Sequence, residues 1–258
     1  MSKLELYFRR FLVLLVLASI IFTFTKIISA IFPPKTDVVE EAPVERPKVQ
    51  SKYIALTFDD GPHIEYLYKI LGVLDKNNAK ATFFVVGKMV KKYPFLLEEI
   101  TKRGNGVGSH TYNHPNLTSL TKDEIIKELE SSRKEIKDAC GVNVDIFRPP
   151  SGRYNKEVVS IASSRGFKTI LWSDNSLDYG STDKNFVLNN VLKNPCNGDI
   201  VLLHSGVKAT LDALPDIIKG LKERGFEFKT VSQLIEENNL GTDAVVYKNA
   251  GPERVAIK

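Results

Sequence analysis

Five side chains of this 258-residue sequence have types suited to holding a metal ion and moving protons: the adjacent pair Asp59-Asp60, and His110, His114 and His204. Asp60 with His110 and His114 supplies one carboxylate and two imidazoles. That set binds zinc or a similar divalent ion and leaves a position open for water. The two histidines stand four apart, a spacing that would place them on one face of a helix. However, Pro115 follows His114, and a residue before proline avoids the helical region. A loop or short turn is therefore expected. Asp59-Asp60 could instead cap a helix before Gly61-Pro62. A glycosidase pair is a poorer reading, because those carboxylates must flank a sugar bond from opposite sides. Together the five residues point to metal-dependent hydrolysis.

The elements that must position them alternate. Strand-type runs are expected at Tyr53–Phe58, Ala81–Val86, Gly106–Gly108, Val144–Phe147, Phe167–Trp172, Asp199–Leu203 and Phe226–Lys229. Helical spacing runs through Ile64–Asn77, Lys88–Arg103, Thr121–Cys140, Lys156–Arg165, Asp183–Lys193, Leu211–Arg224 and Val231–Asn238. Thr121 with Glu124 three residues on forms a capping box. Strands alternating with helices imply a parallel sheet. About seven such units suggest an α/β fold of distorted, TIM-barrel-like (β/α) type, closed or nearly closed, with an open doubly wound sheet as the alternative. Asp59-Asp60 follows YIALTF, His110 follows GVGS, Arg148 follows VDIF, Asp174 and Asp178 follow KTILW, and His204 follows DIVLL. Five strands thus deliver ionisable residues to one end, the face where parallel barrels build active sites.

Five segments occur in order: Thr57-Phe58-Asp59-Asp60-Gly61-Pro62, His110-Thr111-Tyr112-Asn113-His114, Arg148-Pro149-Pro150-Ser151-Gly152, Trp172 to Tyr179, and Leu202-Leu203-His204. They resemble the five motifs of the polysaccharide deacetylase family, the chitooligosaccharide-deacetylase-like carbohydrate esterases, over roughly residues 52–238. Bacterial membrane-anchored and sporulation members look closest. The resemblance implies removal of N-acetyl groups from a cell-wall glycan. Peptidoglycan is the first candidate and chitin-like oligomers the second. It implies that Asp60, His110 and His114 hold a divalent metal, zinc first, with cobalt, nickel or manganese as alternatives. It implies that Asp59 is the general base and His204 the general acid. Arg148 would orient Asp59, and Asp178 would pair with His204, Asp174 being its competitor for that place. The Ser151 N–H would stabilise the oxyanion, and Leu202 and Tyr179 would line the acetyl pocket. Tyr179 stands where many relatives carry tryptophan. Trp172 reads as core, and His63 has no expected role. An O-acetyl esterase on the same scaffold, or a silent glycan-binding or sporulation-structure protein, is the rival reading.

Composition agrees with a globular domain, with 43% hydrophobic and 26% charged residues. The net charge of +5 is spread among acidic residues, and no basic run interleaved with aromatics points to nucleic acid. Residues 11–32 are almost wholly apolar, after Lys3, Arg9 and Arg10. Residues 1–32 therefore read as a single-pass membrane anchor with the domain outside the cell, or as a signal segment whose cleavage would release it. Residues 33–50, with four prolines and many charges, read as a tether. The catalytic domain is expected over 51–240, followed by a tail at 241–258 that is either a peripheral strand or disordered. Cys140 and Cys196 form no CxxC pair, and nothing fixes whether they bridge. Nothing in the sequence sets an oligomeric state.

Overall fold

Eight short segments, most of them rich in β-branched, aliphatic or aromatic residues, pair into one parallel sheet: β1 (Lys52–Gly61), β2 (Ala81–Val85), β3 (Gly106–Ser109), β4 (Ile146–Phe147), β5 (Lys168–Thr169), β6 (Asp174–Asn175), β7 (Asp199–His204) and β8 (Phe226–Phe228). The computed structural model describes residues 52–237 and the backbone of 246–250 and 253–257. The expected anchor at 1–32 and tether at 33–50 lie outside the described residues. Among the described residues no helix is long and apolar enough to cross a membrane.

Strand order is β5-β4-β3-β2-β1-β7-β6, with β8 pairing beside the first residues of β1. The strands run in order from β1 out to β5 and resume with β6 at the other end, so the order is that of a ring opened between β5 and β6 and not the two outward-wound halves of a doubly wound sheet. The sheet curls into a half-barrel whose end strands, β5 and β6, are consecutive in the chain and do not pair. β6 was not expected from the sequence. It has only two polar residues, Asp174 and Asn175, and it exists by pairing with Val201 and Leu202 of β7.

The helices are α1 (Leu67–Lys76), α2 (Gly87–Lys92), α3 (Pro94–Lys102), α4 (Lys122–Cys140), α5 (Lys156–Ser164), α6 (Lys184–Leu192), α7 (Lys208–Glu223) and α8 (Val231–Glu237). The single helix expected over Lys88–Arg103 is two, because Pro94 forces Tyr93 out of the helical region, to φ −134 and ψ 58. The capping box on α4 is present, and Gly141 closes that helix in the left-handed conformation. The strand expected over Phe167–Trp172 is regular only at Lys168–Thr169. Beyond it the carbonyls of Ile170 and Leu171 accept from a buried arginine, Arg148. The tail contains an antiparallel pair, β9 (Val246–Ala250) with β10 (Glu253–Ile257). Both cysteines are free.

Alternation along β1 divides the interior. Ile54, Leu56 and Phe58 join the helix-side core with Leu67, Ile70, Leu71 and Leu74 of α1 and Leu214, Ile217 and Leu221 of α7. Each such side chain, fully buried, contributes about 1.5–3 kcal/mol. The other face carries Ala55, Thr57 and Asp59. Ala55 packs with Phe84, Ile146, Ile170 and Ile200 and with Val231, Leu234 and Ile235 of α8. This inner cluster precedes the polar residues on the same strands and forms their floor.

Gly108 of β3 lies against that floor. A Cβ there would stand 2.6 Å from the Phe84 ring, and Phe84 in turn lies 4.1 Å from the Arg148 guanidinium carbon. Gly108→Ala should therefore lower unfolding free energy by about 1–3 kcal/mol through overpacking. Urea denaturation measures this, and an unchanged midpoint would show that the floor has room the structure does not contain.

Candidate active site

The parallel strands end together, and their C-terminal ends surround a cavity of about 580 Å³ lined by Asp59, Asp60, His110, His114, Ser151, Trp172, Asp178, Tyr179, Leu202 and His204 among others. Every expected site residue except the fully buried Arg148 lines it. Arg148 lies behind the wall, against Asp59.

One carboxylate oxygen of Asp60 and the ring nitrogens of His110 and His114 converge within 4.8 Å of one another. Asp60 Oδ1 is 3.5 Å from His110 Nε2 and 3.2 Å from His114 Nε2. Ligands about one tetrahedral zinc stand about 3.3 Å apart, so the donor set fits a divalent ion by chemistry and by spacing. His110 Nδ1 is 2.8 Å from the backbone oxygen of Arg148. A carbonyl only accepts, so Nδ1 carries the proton and Nε2 presents its lone pair towards Asp60. Burial disfavours the Asp60 carboxylate, but the interaction with the His114 side chain and the charge of His204 act against it, beside the neighbouring His110 ring. The Asp60 pKa falls far below the usual carboxylate range.

The His110–His114 segment is a loop, as Pro115 requires. Thr111 and His114 have φ of 64 and 65, and Asp60 has 67. Ser151 and Leu177 also have positive φ, so five of the six such non-glycine residues described line the cavity or belong to a segment that does. Each left-handed non-glycine residue costs about 1–3 kcal/mol and persists only where its surroundings over-determine it.

Asp59 is 3% exposed and Arg148 fully buried. Arg148 Nη1 donates to Asp59 Oδ1 at 2.7 Å and to Thr57 Oγ1 at 2.8 Å, while Nε and Nη2 donate to the carbonyls of Ile170 and Leu171. Burial pulls the Arg148 pKa down, and the charge of Asp59 and its hydrogen bond oppose the fall. Asp59 Oδ2 lies 3.8 Å from His110 Nε2, on the side of the ligand cluster.

His204 stands opposite Asp59 in the β1–β7 register. Its Nδ1 is 2.7 Å from Asp178 Oδ1, and its backbone N–H donates to Asp178 Oδ2. The Thr210 hydroxyl of α7 donates to the same Oδ2. Burial alone would lower the His204 pKa. The bond and charge of Asp178, with the charges of Asp59 and Asp60, raise it instead. Burial would raise the Asp178 pKa, and the His204 and Thr210 bonds hold it below the ordinary value. Asp174 does not compete for this place. Burial and the charge of Asp199 push its pKa up to about 7, and it does not line the cavity.

Ser151 sits in a one-turn 3₁₀ segment, Pro150–Gly152. Among the described residues its N–H has no hydrogen-bond partner. Leu202 is 5% exposed, and Tyr179, 76% exposed, packs edge-on to His204 with centroids 5.1 Å apart. Trp172 differs from the core placement expected of it. It is a half-buried wall of the cavity, and a Cβ on Gly152 would meet its ring at 2.6 Å. His63 does not line the cavity; its ring stacks on Tyr66. Asn175 and Phe186, which the sequence did not single out, also line the wall. Neither carried a signal, since Asn175 depends on the two-residue β6 and Phe186 reads as an apolar position of a helix.

Comparison with known proteins gives an independent view. Residues 46–170 match the family described as polysaccharide deacetylase. A peptidoglycan-N-acetylglucosamine deacetylase of Bacillus cereus is 35% identical over 189 residues, spanning 71% of this chain and 88% of that protein. A peptidoglycan-N-acetylmuramic acid deacetylase of Bacillus subtilis is 33% identical over 195 residues, spanning 74% of each. The crystal structure of a pseudoenzyme of the same carbohydrate esterase family, from Bacillus anthracis, is similar with a TM-score of 0.71 at 34% identity, covering 77% of this chain and 70% of that one.

The His204–Asp178 pair has a defined pH window. A raised His204 pKa means stabilisation that is complete below the ordinary imidazole value and lost as pH climbs through the raised one. A lowered Asp178 pKa means stabilisation present above the ordinary carboxyl value and lost as pH falls through the lowered one. Asp178→Asn should therefore bring the His204 titration midpoint, followed by NMR, below that of the wild type. A midpoint that does not move contradicts the pairing.

Proposed function

Because the chain belongs to the polysaccharide deacetylase family, we propose that it hydrolyses the N-acetyl groups of peptidoglycan amino sugars, with Asp59 as base and His204 as acid. The likeness to a pseudoenzyme means that the fold does not decide activity. The reading is carried by one observation. A single cavity holds the Asp60-His110-His114 ligand set, a carboxylate fixed by a buried arginine, and an imidazole fixed by a buried aspartate.

A divalent ion held by Asp60, His110 and His114 would supply Lewis acidity, polarising the acetamide carbonyl and making water a better nucleophile near neutral pH. Zinc is the proposed ion, since one carboxylate with two imidazoles suits it. Arg148 occupies Asp59 Oδ1 and leaves Oδ2, on the cavity side, to take a proton from the attacking water. The Ser151 N–H is available to the oxyanion as the carbonyl becomes tetrahedral. As the C–N bond breaks, the departing amine needs a proton. His204, held towards its charged form by Asp178, gives it from Nε2, because Nδ1 is engaged. Leu202 and Tyr179 enclose the acetyl methyl. A base and an acid with opposite partners keep different protonation states in one site. The apolar run at 11–32 would hold the domain at the outer face of the membrane, beside this substrate.

Mass spectrometry of muropeptides after treatment of purified peptidoglycan should show loss of acetyl groups, and the fragments carrying the loss name the sugar. Acetate release only from O-acetylated xylan would transfer the reading to an esterase. Asp59→Asn should retain the metal and lose about 10²–10⁴-fold in turnover. Full activity in that variant removes Asp59 as the base.

A further inference from the structure

The loop carrying both histidine ligands makes unusual demands on its surroundings. Thr111 and His114 are left-handed, and no regular ladder serves its backbone. Its N–H groups can nevertheless all be accounted for. His110 N–H donates to the Val85 carbonyl, Thr111 to Ser109 Oγ, and His114 to Thr111 Oγ1. The two between, Tyr112 and Asn113, both donate to Glu128 Oε2, at 2.9 and 2.7 Å. Asn113 Nδ2 donates to the other oxygen, Oε1, at 2.7 Å. Glu128 comes from the middle of α4, is 9% exposed, and has no ion-pair partner among the described residues. A buried carboxylate that meets three N–H donors, with no cation at ion-pair distance among the described residues, is there to accept from them. The loop's carbonyls are held by α2, where the Gly87 and Lys88 N–H groups donate to Thr111 and Tyr112 and Lys88 Nζ donates to Asn113.

We infer that Glu128 is a positioning residue of the metal site. Its carboxylate clamps the Tyr112-Asn113 backbone and so sets the separation and direction of His110 and His114. The inference rests on the proposed metal site and adds its support. Groups behind metal ligands commonly carry 10–100-fold in affinity.

The test is metal binding by the full domain, with Zn²⁺ in competition against a chromophoric chelator and Co²⁺ followed by its visible spectrum. Glu128→Ala should weaken Zn²⁺ binding by about tenfold or more and alter the Co²⁺ bands. Glu128→Gln keeps an oxygen against the two backbone N–H groups, and should bind within about threefold of the wild type. If Glu128→Ala does not fold, Glu128→Asp, which withdraws the carboxylate by one methylene, carries the same expectation as the alanine variant. A folded Ala or Asp variant with wild-type affinity and spectrum overturns the inference, even if its melting temperature has dropped. So does a Gln variant as weak as the Ala variant. A wild-type domain that binds no metal overturns both this inference and the proposed metal site.

Discussion

A guanidinium without access to water is expensive to bury, and Arg148 is fully buried. Its position is tolerable because four acceptors and two aromatic faces meet it there. Thr57 and Asp59 come from β1, the Ile170 and Leu171 carbonyls from the segment after β5, and Phe84 and Trp172 lie within reach of its charge. Its own backbone is equally engaged. Its N–H donates to Ser109 and its carbonyl accepts from His110 Nδ1. One residue thus ties β1, β3 and the segment after β5 together and reaches both the proposed base and a metal ligand. Breaking a buried ion pair from one side costs about 3–5 kcal/mol, so the barrel interior and the chemistry share this constraint.

The neighbouring strand β7 repeats the arrangement with reversed charge. There a buried carboxylate, Asp178, holds an imidazole, and Thr210 and the His204 N–H occupy its second oxygen. A cation steadies the group proposed to accept a proton, and an anion steadies the group proposed to give one. Mobile loop residues could not hold such a division. Here the supporting partners sit inside the barrel or under a helix, where few alternative geometries exist.

Much of this was legible in the sequence. The pairing of strand-type runs with polar residues at their ends is a local pattern, so the order of residues alone assigns Asp59, Asp60, His110, Arg148 and His204 to one face. Pro115 announced the loop at His114, and Pro94 carried the signal for the break between α2 and α3, though the apolar spacing across it read as continuous. What stayed hidden depends on pairing between distant segments. β6 has no hydrophobic alternation and forms only against β7. Trp172 becomes a wall because the chain turns its carbonyls towards Arg148 and leaves the ladder. Glu128 lies in a helix rich in Lys and Glu, where a carboxylate usually faces solvent. Its partners are 15 and 16 residues earlier in the chain, and no spacing rule connects a helix interior to a loop.

The register of β1 against β7 sets Asp59 directly beside His204. Neighbouring strands lie about 4.8 Å apart because backbone hydrogen bonds have one length. The backbone spacing between the two proton-handling residues is therefore a property of sheets in general and owes nothing to the loops around the cavity. Those loops can lengthen, shorten or change composition to suit different glycans while this ruler stays the same.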